Sequence, residues 1–220
     1  MTHHFFRRIP LILLAAIVAF PLVLFGQAKE KSVTKDGKKG KSESMKEYAI
    51  VETSFGTFEI ELYGQDAQKT AENFVKLAEK KYFDGMRFHR VVKGFVIQTG
   101  DDKSKDTSKV SGWGTGGRSI WGKEFNDELN PNTPSYKEGY KKGVVAMANR
   151  GPNTNTSQFF IMLSDNTTLP KNYTIFGKVV KGHEVVDKIG GVEVIPVMGP
   201  SDGRPKVDVV MKKVTIKKVE

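Results

Sequence analysis

Cysteine is absent from this 220-residue sequence, and its absence excludes several kinds of site at once. Disulfide bonds, thiolate nucleophiles and cysteine-ligated zinc or iron–sulfur centres all need that residue. An N-terminal lipid attached through cysteine is excluded as well. Histidine is scarce too: the four histidines, at positions 3, 4, 89 and 183, show no metal-ligand spacing in the central part of the chain. We therefore expect no bound metal.

Acidic residues are fewer than basic ones, which gives the chain a formal net charge of +10. The excess is uneven. Residues 29–46 hold seven lysines and three acidic residues, whereas residues 47–220 carry a net charge of only +4. A mild excess of this kind favours solubility, and no motif that combines aromatic and basic residues for base stacking accompanies it. We predict that nucleic acid is not a partner.

The N-terminus combines a basic end with an uncharged apolar run over residues 9–25. Gly26 and Ala28 place small residues at the −3 and −1 positions of a cleavage site after Ala28, which favours a cleaved signal peptide over residues 1–28. The run also reaches the lower limit of a membrane span, so an uncleaved anchor is the alternative. Both interpretations predict an exported protein, periplasmic or anchored in the membrane facing the periplasm, and the simple leader looks bacterial.

Residues 29–46 are rich in Lys, Ser and Gly and have almost no apolar side chains. Such a segment cannot bury enough surface to offset the entropy of the chain, so we predict a basic flexible linker. Contact of its lysines with anionic lipid headgroups at a membrane surface is a second interpretation.

Residues 47–220 show the patterns of a folded domain that is mainly β. Apolar and polar residues alternate over residues 57–63, whereas residues 67–81 show helical spacing. Many short strands, two helices and Gly-rich turns favour a closed antiparallel barrel or a sandwich. Strands are predicted at 48–53, 57–63, 87–92, 95–99, 144–148, 159–163, 175–180 and 207–219, helices at 67–81 and 183–189, and a long loop at 100–132.

Two segments, residues 87–101 and 147–161, carry the chemistry of the chain. Each joins a strand-like apolar stretch to amide and arginine side chains, and neither contains a plausible pair of nucleophile and base. This composition indicates a site that binds a peptide and changes its electronic structure without covalent chemistry. Arg90 lies among apolar strand residues, where an ordinary edge arginine is also common. Asn149 precedes Gly151-Pro152, where asparagine is typical of a turn but could also hold a peptide backbone.

The other candidate residues have structural alternatives. Phe95, Val96 and Phe160 could line an apolar socket or belong to the core of a barrel. Gln98 and Gln158 alternate with apolar neighbours, which predicts that they face the side opposite to that socket. A solvated strand face and a ligand clamp are both compatible with two such glutamines.

Both segments resemble the signature segments of the cyclophilin family, the peptidyl-prolyl cis/trans isomerases. The resemblance covers nearly all of residues 47–220, and the matching residues occur in the family's order and at compatible spacings. The matches are Phe88-His89-Arg90, Gly94-Phe95, Gln98, Gly100-Asp101, Gly114-Thr115-Gly116, Glu124-Phe125, Glu128-Leu129, Ala146-Met147-Ala148-Asn149, Gly151-Pro152-Asn153-Thr154-Asn155, Ser157-Gln158-Phe159-Phe160 and Phe176-Gly177.

The resemblance implies a closed eight-stranded antiparallel β-barrel that is capped by two helices and has a proline-binding groove on one face. It implies that Arg90 is the catalytic arginine. The substrate-binding positions, in the proline pocket or along the peptide backbone, correspond to Phe95, Val96, Gln98, Ala148, Asn149, Gln158, Phe160, Leu169 and Tyr173.

Four features depart from the family pattern. Val96 stands where many relatives have methionine and Tyr173 where many eukaryotic relatives have histidine, and both keep an apolar wall. Thr168 stands where cyclosporin-sensitive relatives carry tryptophan, and we therefore expect weak cyclosporin binding. The segment 103–113 looks like an insertion relative to compact members and could remodel one end of the groove.

The resemblance implies a peptidyl-prolyl isomerase (EC class 5.2.1.8) that accelerates X-Pro isomerisation while exported proteins fold. An arginine aimed at the prolyl nitrogen would draw its lone pair out of conjugation, and a pocket that binds the twisted amide would lower the barrier further, without any cofactor. One alternative is a module or chaperone that binds Pro-containing segments with incidental catalysis, and another is a membrane-surface scaffold built on the linker. We expect a monomer whose partners are proline-containing polypeptides.

Overall fold

The computed structural model describes residues 45–219. The signal peptide or membrane anchor predicted at residues 1–28 lies outside the described residues, and so does the basic linker except for its last two residues. Among the helices of residues 45–219, none is long and apolar enough to cross a membrane.

The described residues fold into ten strands and three α-helices, and the predicted mainly β, antiparallel architecture is confirmed. The strands are β1 (Lys46–Thr53), β2 (Gly56–Leu62), β3 (Arg90–Val92), β4 (Val96–Thr99), β5 (Val144–Met147), β6 (Phe159–Met162), β7 (Ile175–Lys181), β8 (Val194–Gly199), β9 (Asp202–Pro205) and β10 (Met211–Val219). The helices are α1 (Gln68–Glu79), α2 (Pro134–Glu138) and α3 (His183–Gly190).

The hairpin of β1 and β2 follows directly from the alternation in the sequence. Phe58 and Ile60 of β2 are buried and lie opposite Val51 and Ala49 of β1, whereas Glu59 between them is on the other face and only partly buried. Side chains two residues apart share one face of a strand, so this single register buries all four apolar residues.

Helix α1 adds an apolar face to the same core. Ala71, Phe74 and Leu77 are three or four residues apart and are all buried. The ring of Phe74 stacks on Phe83 with a centroid distance of 4.9 Å and meets Phe159 of β6 edge-on at 5.5 Å. The helix is therefore fixed to the sheet by an aromatic cluster, a contact that contributes more than area burial alone.

All ten strands belong to one antiparallel sheet with the order β10-β1-β2-β7-β5-β6-β4-β3-β9-β8. The first eight members of this series are the eight strands predicted from the sequence. Three main-chain hydrogen bonds connect the two ends of that eight-strand series, from Gly85 to Met211 (2.8 Å), from Met211 to Met86 (2.7 Å) and from Phe88 to Val209 (3.0 Å). These bonds join the residues just before β3 to Val209 and to the first residue of β10. Within residues 45–219, no regular ladder of hydrogen bonds connects the same two ends.

The structure corrects three details of the predicted fold. β8 and β9 form a hairpin that was not predicted, because Pro196 and Pro205 interrupt the strand pattern. α2 is a third helix of a little more than one turn, with proline at its first position. The predicted loop 100–132 contains two 3-10 helices, Asp102–Lys105 and Thr107–Gly112, so the insertion is folded.

Candidate active site

A cavity of about 280 Å³ opens beside β3, β4 and β6, and we call it the strand cavity. Its lining brings together nine of the ten predicted site residues. They are Arg90, Phe95, Val96, Gln98, Ala148, Asn149, Phe160, Leu169 and Tyr173. The tenth predicted residue, Gln158, is buried and does not line the cavity.

The register of three strands places Arg90, Gln98 and Phe160 side by side. Arg90 lies opposite Gln98 across β3 and β4, and Gln98 lies opposite Phe160 across β4 and β6. Directly opposed residues share a face of the sheet. The prediction that Gln98 faces away from the apolar socket is therefore wrong, because Val96 and Gln98 share one face of β4. Gln158, for which the same was predicted, does not line the cavity.

The apolar wall of the strand cavity rests on a buried tyrosine. The rings of Phe160 and Tyr173 meet edge-on with a centroid distance of 5.5 Å. Behind them, the hydroxyl of Tyr140 donates to the main-chain oxygen of Tyr173 and accepts from its main-chain nitrogen, both at 3.0 Å. Burial raises the pKa of Tyr140 to about 12, which keeps its hydroxyl proton available for this bond. The wall is thus held by its backbone as well as by packing.

Arg90 is held in place by a two-pronged ion pair. Its Nε donates to Asp202 Oδ1 at 2.8 Å and its Nη2 to Asp202 Oδ2 at 2.7 Å. Its Nη1 donates to Gln98 Oε1 at 3.3 Å. The hydrogen bonds with Asp202 raise the pKa of Arg90 above its ordinary value, despite the opposing effect of partial burial. The half-buried guanidinium is therefore charged at any physiological pH, and its plane is fixed by paired contacts.

The contacts of Arg90 continue through two glutamines to the glycine-rich loop that follows segment 103–113. Gln98 Nε2 donates to Gln158 Oε1 at 3.0 Å. Gln158 Nε2 in turn donates to the main-chain oxygens of Gly114 (3.0 Å) and Gly116 (2.8 Å). Gln158 is only 8% exposed. The geometry therefore gives Gln158 a positioning role, since its amide is used inside the protein and orients Gln98.

Asn149 lies at the opposite side of the strand cavity with its side chain engaged. Its Nδ2 donates to the main-chain oxygen of Asn172 at 2.9 Å, and its Oδ1 accepts from the main-chain nitrogen of Gly151 at 3.3 Å. In the part of the chain that the structure describes, no protein group bonds the main-chain N–H or C=O of Asn149. These two groups are therefore available to the backbone of an extended peptide.

Sequence analysis missed Asp202, the ion-pair partner of Arg90. The two residues are 112 positions apart, and Asp202 is the first residue of the unpredicted strand β9. β9 pairs with β3, where Val92 lies opposite Asp202. The only signal in the sequence was the tight turn of Gly199 and Pro200, which indicates a hairpin but not its neighbour.

His89, the neighbour of Arg90 in the sequence, is buried. In the described chain neither ring nitrogen has a hydrogen-bond partner. Burial lowers the pKa of His89 to about 4, with a smaller contribution in the same direction from the charge of Arg90. His89 is therefore neutral at neutral pH and adds no charge to the site.

The family model described as "Cyclophilin type peptidyl-prolyl cis-trans isomerase/CLD" matches residues 48–216, most of the chain. This chain belongs to the cyclophilin family. Its enzyme class is that of the peptidyl-prolyl cis-trans isomerases, EC 5.2.1.8, as predicted.

Curated relatives of this cyclophilin agree with the assignment. Peptidyl-prolyl cis-trans isomerase-like 3 of Gallus gallus is 44% identical over 164 residues, which are 74% of this chain and 92% of the relative. Peptidyl-prolyl cis-trans isomerase CYP18-1 of Arabidopsis thaliana has the same identity and coverage. Peptidyl-prolyl cis-trans isomerase-like 2 of Cryptococcus neoformans is 42% identical over 183 residues, but this chain spans only 29% of its length.

The fold agrees with a solved structure of the family. The crystal structure of a cyclophilin-type peptidyl-prolyl cis-trans isomerase of Cryptosporidium parvum is 31% identical to this cyclophilin and has a TM-score of 0.66. The alignment covers 80% of this chain and 99% of the other. That protein was also solved in the presence of the dipeptide Ala-Pro.

Proposed function

We propose that this cyclophilin accelerates X-Pro isomerisation in exported polypeptides, and that Arg90 acts on the prolyl amide without covalent chemistry. The observation that carries the mechanism is the position of Arg90, a fixed cation at the edge of an apolar cavity. Three of its five N–H groups donate to Asp202 and Gln98, so two remain for a substrate.

The geometry supports different roles for the groups that line the strand cavity. The apolar side of Phe95, Phe160 and Leu169 would hold the pyrrolidine ring, and the free main-chain groups of Asn149 would bind the peptide backbone. A free N–H of Arg90 would then approach the prolyl nitrogen. Since conjugation of that nitrogen creates a barrier of roughly 18–20 kcal/mol, withdrawing its lone pair favours the twisted amide over both planar forms.

Fixing Arg90 before the substrate arrives is part of the proposed mechanism. A guanidinium that must reorient during the reaction would lose part of its electrostatic effect, whereas a fixed one stabilises the twisted amide without reorganisation. The paired bonds to Asp202 supply this orientation. No proton leaves the site and no cofactor takes part in the step.

Exchange measured by NMR on a short Ala-Pro peptide tests the proposal. We expect rapid exchange with the parent protein and a loss of roughly 100-fold or more with Arg90→Ala, the scale seen when one preorganised donor is removed. Arg150→Ala is the matched control, because Arg150 is exposed, pairs with Glu124 and does not line the strand cavity. Full activity in a folded Arg90→Ala variant would contradict the mechanism.

The export part of the proposal rests on the leader at residues 1–28. The mass of the mature protein recovered from the producing cell tests it. We expect a chain that begins at Lys29 or, for the anchored form, an intact chain in the membrane fraction. An intact chain in the cytoplasm would contradict export.

One observation favours a second candidate function, a module that binds Pro-containing segments. Asp202 uses both carboxylate oxygens on Arg90, and this partly neutralises the charge that would act on the prolyl nitrogen. Peptide binding by the parent without enhanced exchange would support the binding module. Arg90 would then be a contact residue only.

A further inference from the structure

We propose that this cyclophilin has a second substrate subsite, which takes an apolar side chain of the polypeptide near its X-Pro bond. The inference rests on the proposed function. The subsite is a cavity of about 540 Å³ that we call the hairpin cavity, because β8 and β9 form one of its walls. Its main lining residues are Val110, Trp113, Ile195, Val197, Met198 and Arg204.

The hairpin cavity adjoins the strand cavity. Arg90 and Gln98 line both of them. Gly203 at the floor of the hairpin cavity lies opposite Val91, the residue that follows Arg90 in β3. A peptide whose proline occupies the strand cavity therefore has the hairpin cavity within reach of a neighbouring side chain, on the other side of the guanidinium.

The hairpin contributes apolar surface that no part of the described chain covers. Val197 and Met198 are 73% and 77% exposed, and Ile195 is exposed as well. Exposed apolar side chains that line one cavity indicate a site for an apolar ligand, since covering them is favourable in proportion to the area removed from water. The position beside the candidate catalytic arginine makes the substrate polypeptide the occupant that fits best.

The opposite wall is rigid before any ligand binds. Trp113 Nε1 donates to the main-chain oxygen of Asp106 at 3.0 Å. The guanidinium carbons of Arg87 and Arg204 each lie 5.7 Å from the centre of the Trp113 ring. The indole is thus fixed by one hydrogen bond and two cation–π contacts, so a ligand would bind it without the entropic cost of ordering a loop.

The charges around the hairpin cavity define which side chains it accepts. The charge of Arg90 is partly offset by its ion pair with Asp202, and Arg204 adds a further positive charge at the wall. A lysine or arginine of the substrate would meet this charge without an acidic partner. We therefore infer that leucine, methionine or phenylalanine is preferred, that alanine fills the cavity poorly and that basic residues are disfavoured.

The test compares peptides that differ at one position. Ala-Leu-Ala-Pro-Ala-Ala and Ala-Ala-Ala-Pro-Ala-Leu carry leucine on either side of the proline, and the all-alanine peptide is the reference. We expect kcat/KM to be roughly threefold to tenfold higher for at least one leucine peptide, which partial burial of one leucine would supply. Lysine at the same position should remove the advantage.

A double variant at the tip of the hairpin assigns the preference to the hairpin cavity. We expect Val197→Ser with Met198→Ser to bring the ratio of leucine to alanine kcat/KM close to one. These side chains are exposed, so the fold should tolerate the change. Val207→Ser is the control, because Val207 is an exposed valine outside the cavity and its variant should keep the parental ratio.

The outcomes separate this inference from the proposed function. Suppose that the parent catalyses exchange of all peptides. A ratio of leucine to alanine kcat/KM near one, or a higher ratio that the double variant leaves unchanged, then overturns the subsite and leaves the isomerase activity unaffected. If the parent catalyses no exchange, binding decides: leucine-specific shifts of the Val197 and Met198 methyl resonances support the subsite, and their absence overturns it. The protein could instead self-associate, with the double variant abolishing self-association and leaving the ratio of leucine to alanine kcat/KM unchanged. That result would assign the hairpin cavity to contact with a second copy of the chain.

Discussion

The strand cavity and the hairpin cavity share Arg90 and Gln98, yet the chain builds their other walls in different ways. The strand cavity rests on the register of β3, β4 and β6, three members of the eight-strand series. The hairpin cavity is made by the insertion and by the appended pair β8 and β9. One site therefore rests on the eight-strand series, whereas its neighbour depends on segment 103–113 and on the two strands outside that series.

The largest expected difference between the two cavities is in stability. Phe160 is 6% exposed and packs on Tyr173, so Phe160→Ala should reduce the free energy of unfolding by about 3–5 kcal/mol. Met198→Ala in the hairpin cavity should change it by no more than about 0.5 kcal/mol, since that side chain is mostly exposed. Urea unfolding of both variants checks this. Equal losses would show that the hairpin is part of the folding core.

A second prediction concerns pH and His89, which lines the hairpin cavity and lies next to Arg90. Its pKa is about 4 when folded and 6.5 ordinarily, so the unfolded chain binds a proton that the folded chain does not. The stabilisation from neutral His89 is complete above pH 6.5 and is lost as the pH falls towards 4. The loss amounts to about 3 kcal/mol from the difference in pKa.

Urea unfolding at pH 7.0, 5.5 and 4.5 checks the contribution of His89. His89→Phe removes the titrating group and keeps an aromatic ring, so the variant should lose less stability than the parent over this range. Carboxylates titrate in both proteins and cancel in the difference. Identical pH dependence in the two proteins would show that His89 is protonated without penalty in the fold.

The edge of the strand cavity offers a third prediction. Thr168 is exposed and does not line the strand cavity. Because cyclosporin-sensitive relatives carry tryptophan at this position, Thr168→Trp should strengthen cyclosporin binding by roughly 1–3 kcal/mol for one new aromatic anchor. Titration calorimetry measures the change, with Thr167→Trp at the neighbouring exposed position as the control. Equal effects of the two substitutions would mean that added apolar area alone, and not the position, improves binding.

The smallest predicted effect concerns Asp202, which lines the hairpin cavity and holds the shared residue Arg90. Asp202→Asn keeps the shape of the side chain but removes the charge that fixes Arg90, so we expect kcat for Ala-Pro exchange to fall about tenfold, which corresponds to about 1.4 kcal/mol. KM should change little, because the pocket for the proline ring is intact. Asp202→Glu should restore part of the rate. A fall in stability with unchanged kcat would give Asp202 a structural role only.

The resemblance to the cyclophilin family, rather than local patterns, predicted most of the strand cavity. Local patterns alone left Phe95, Val96 and Phe160 open to a role in the core, and Leu169 and Tyr173 lie outside every strand. The predicted face of Gln98 was wrong, because Gln98 shares one face of β4 with Val96, whereas Phe95 lies before the strand begins. Periodicity has meaning only inside an element, and the ends of elements are the hardest part to predict.

The hairpin and its ion pair were beyond local patterns. Pro196 and Pro205 interrupt the strand pattern of β8 and β9, so the sequence did not indicate these two strands. Nothing near Asp202 indicates that Arg90 is its partner. The contact arises only because β9 pairs with β3, which is a property of the whole topology. A charge pair that joins distant parts of the chain requires the fold before it can be recognised.

The order of the sheet also has a consequence for synthesis. β1 pairs with β10 along its whole length, from Lys46 opposite Val219 to Thr53 opposite Met211. One edge of β1 therefore has no strand to pair with until β10 has left the ribosome. Arg90 likewise has no counter-ion until Asp202 has been translated. A nascent chain of this protein therefore lacks an oriented arginine until synthesis has passed Asp202.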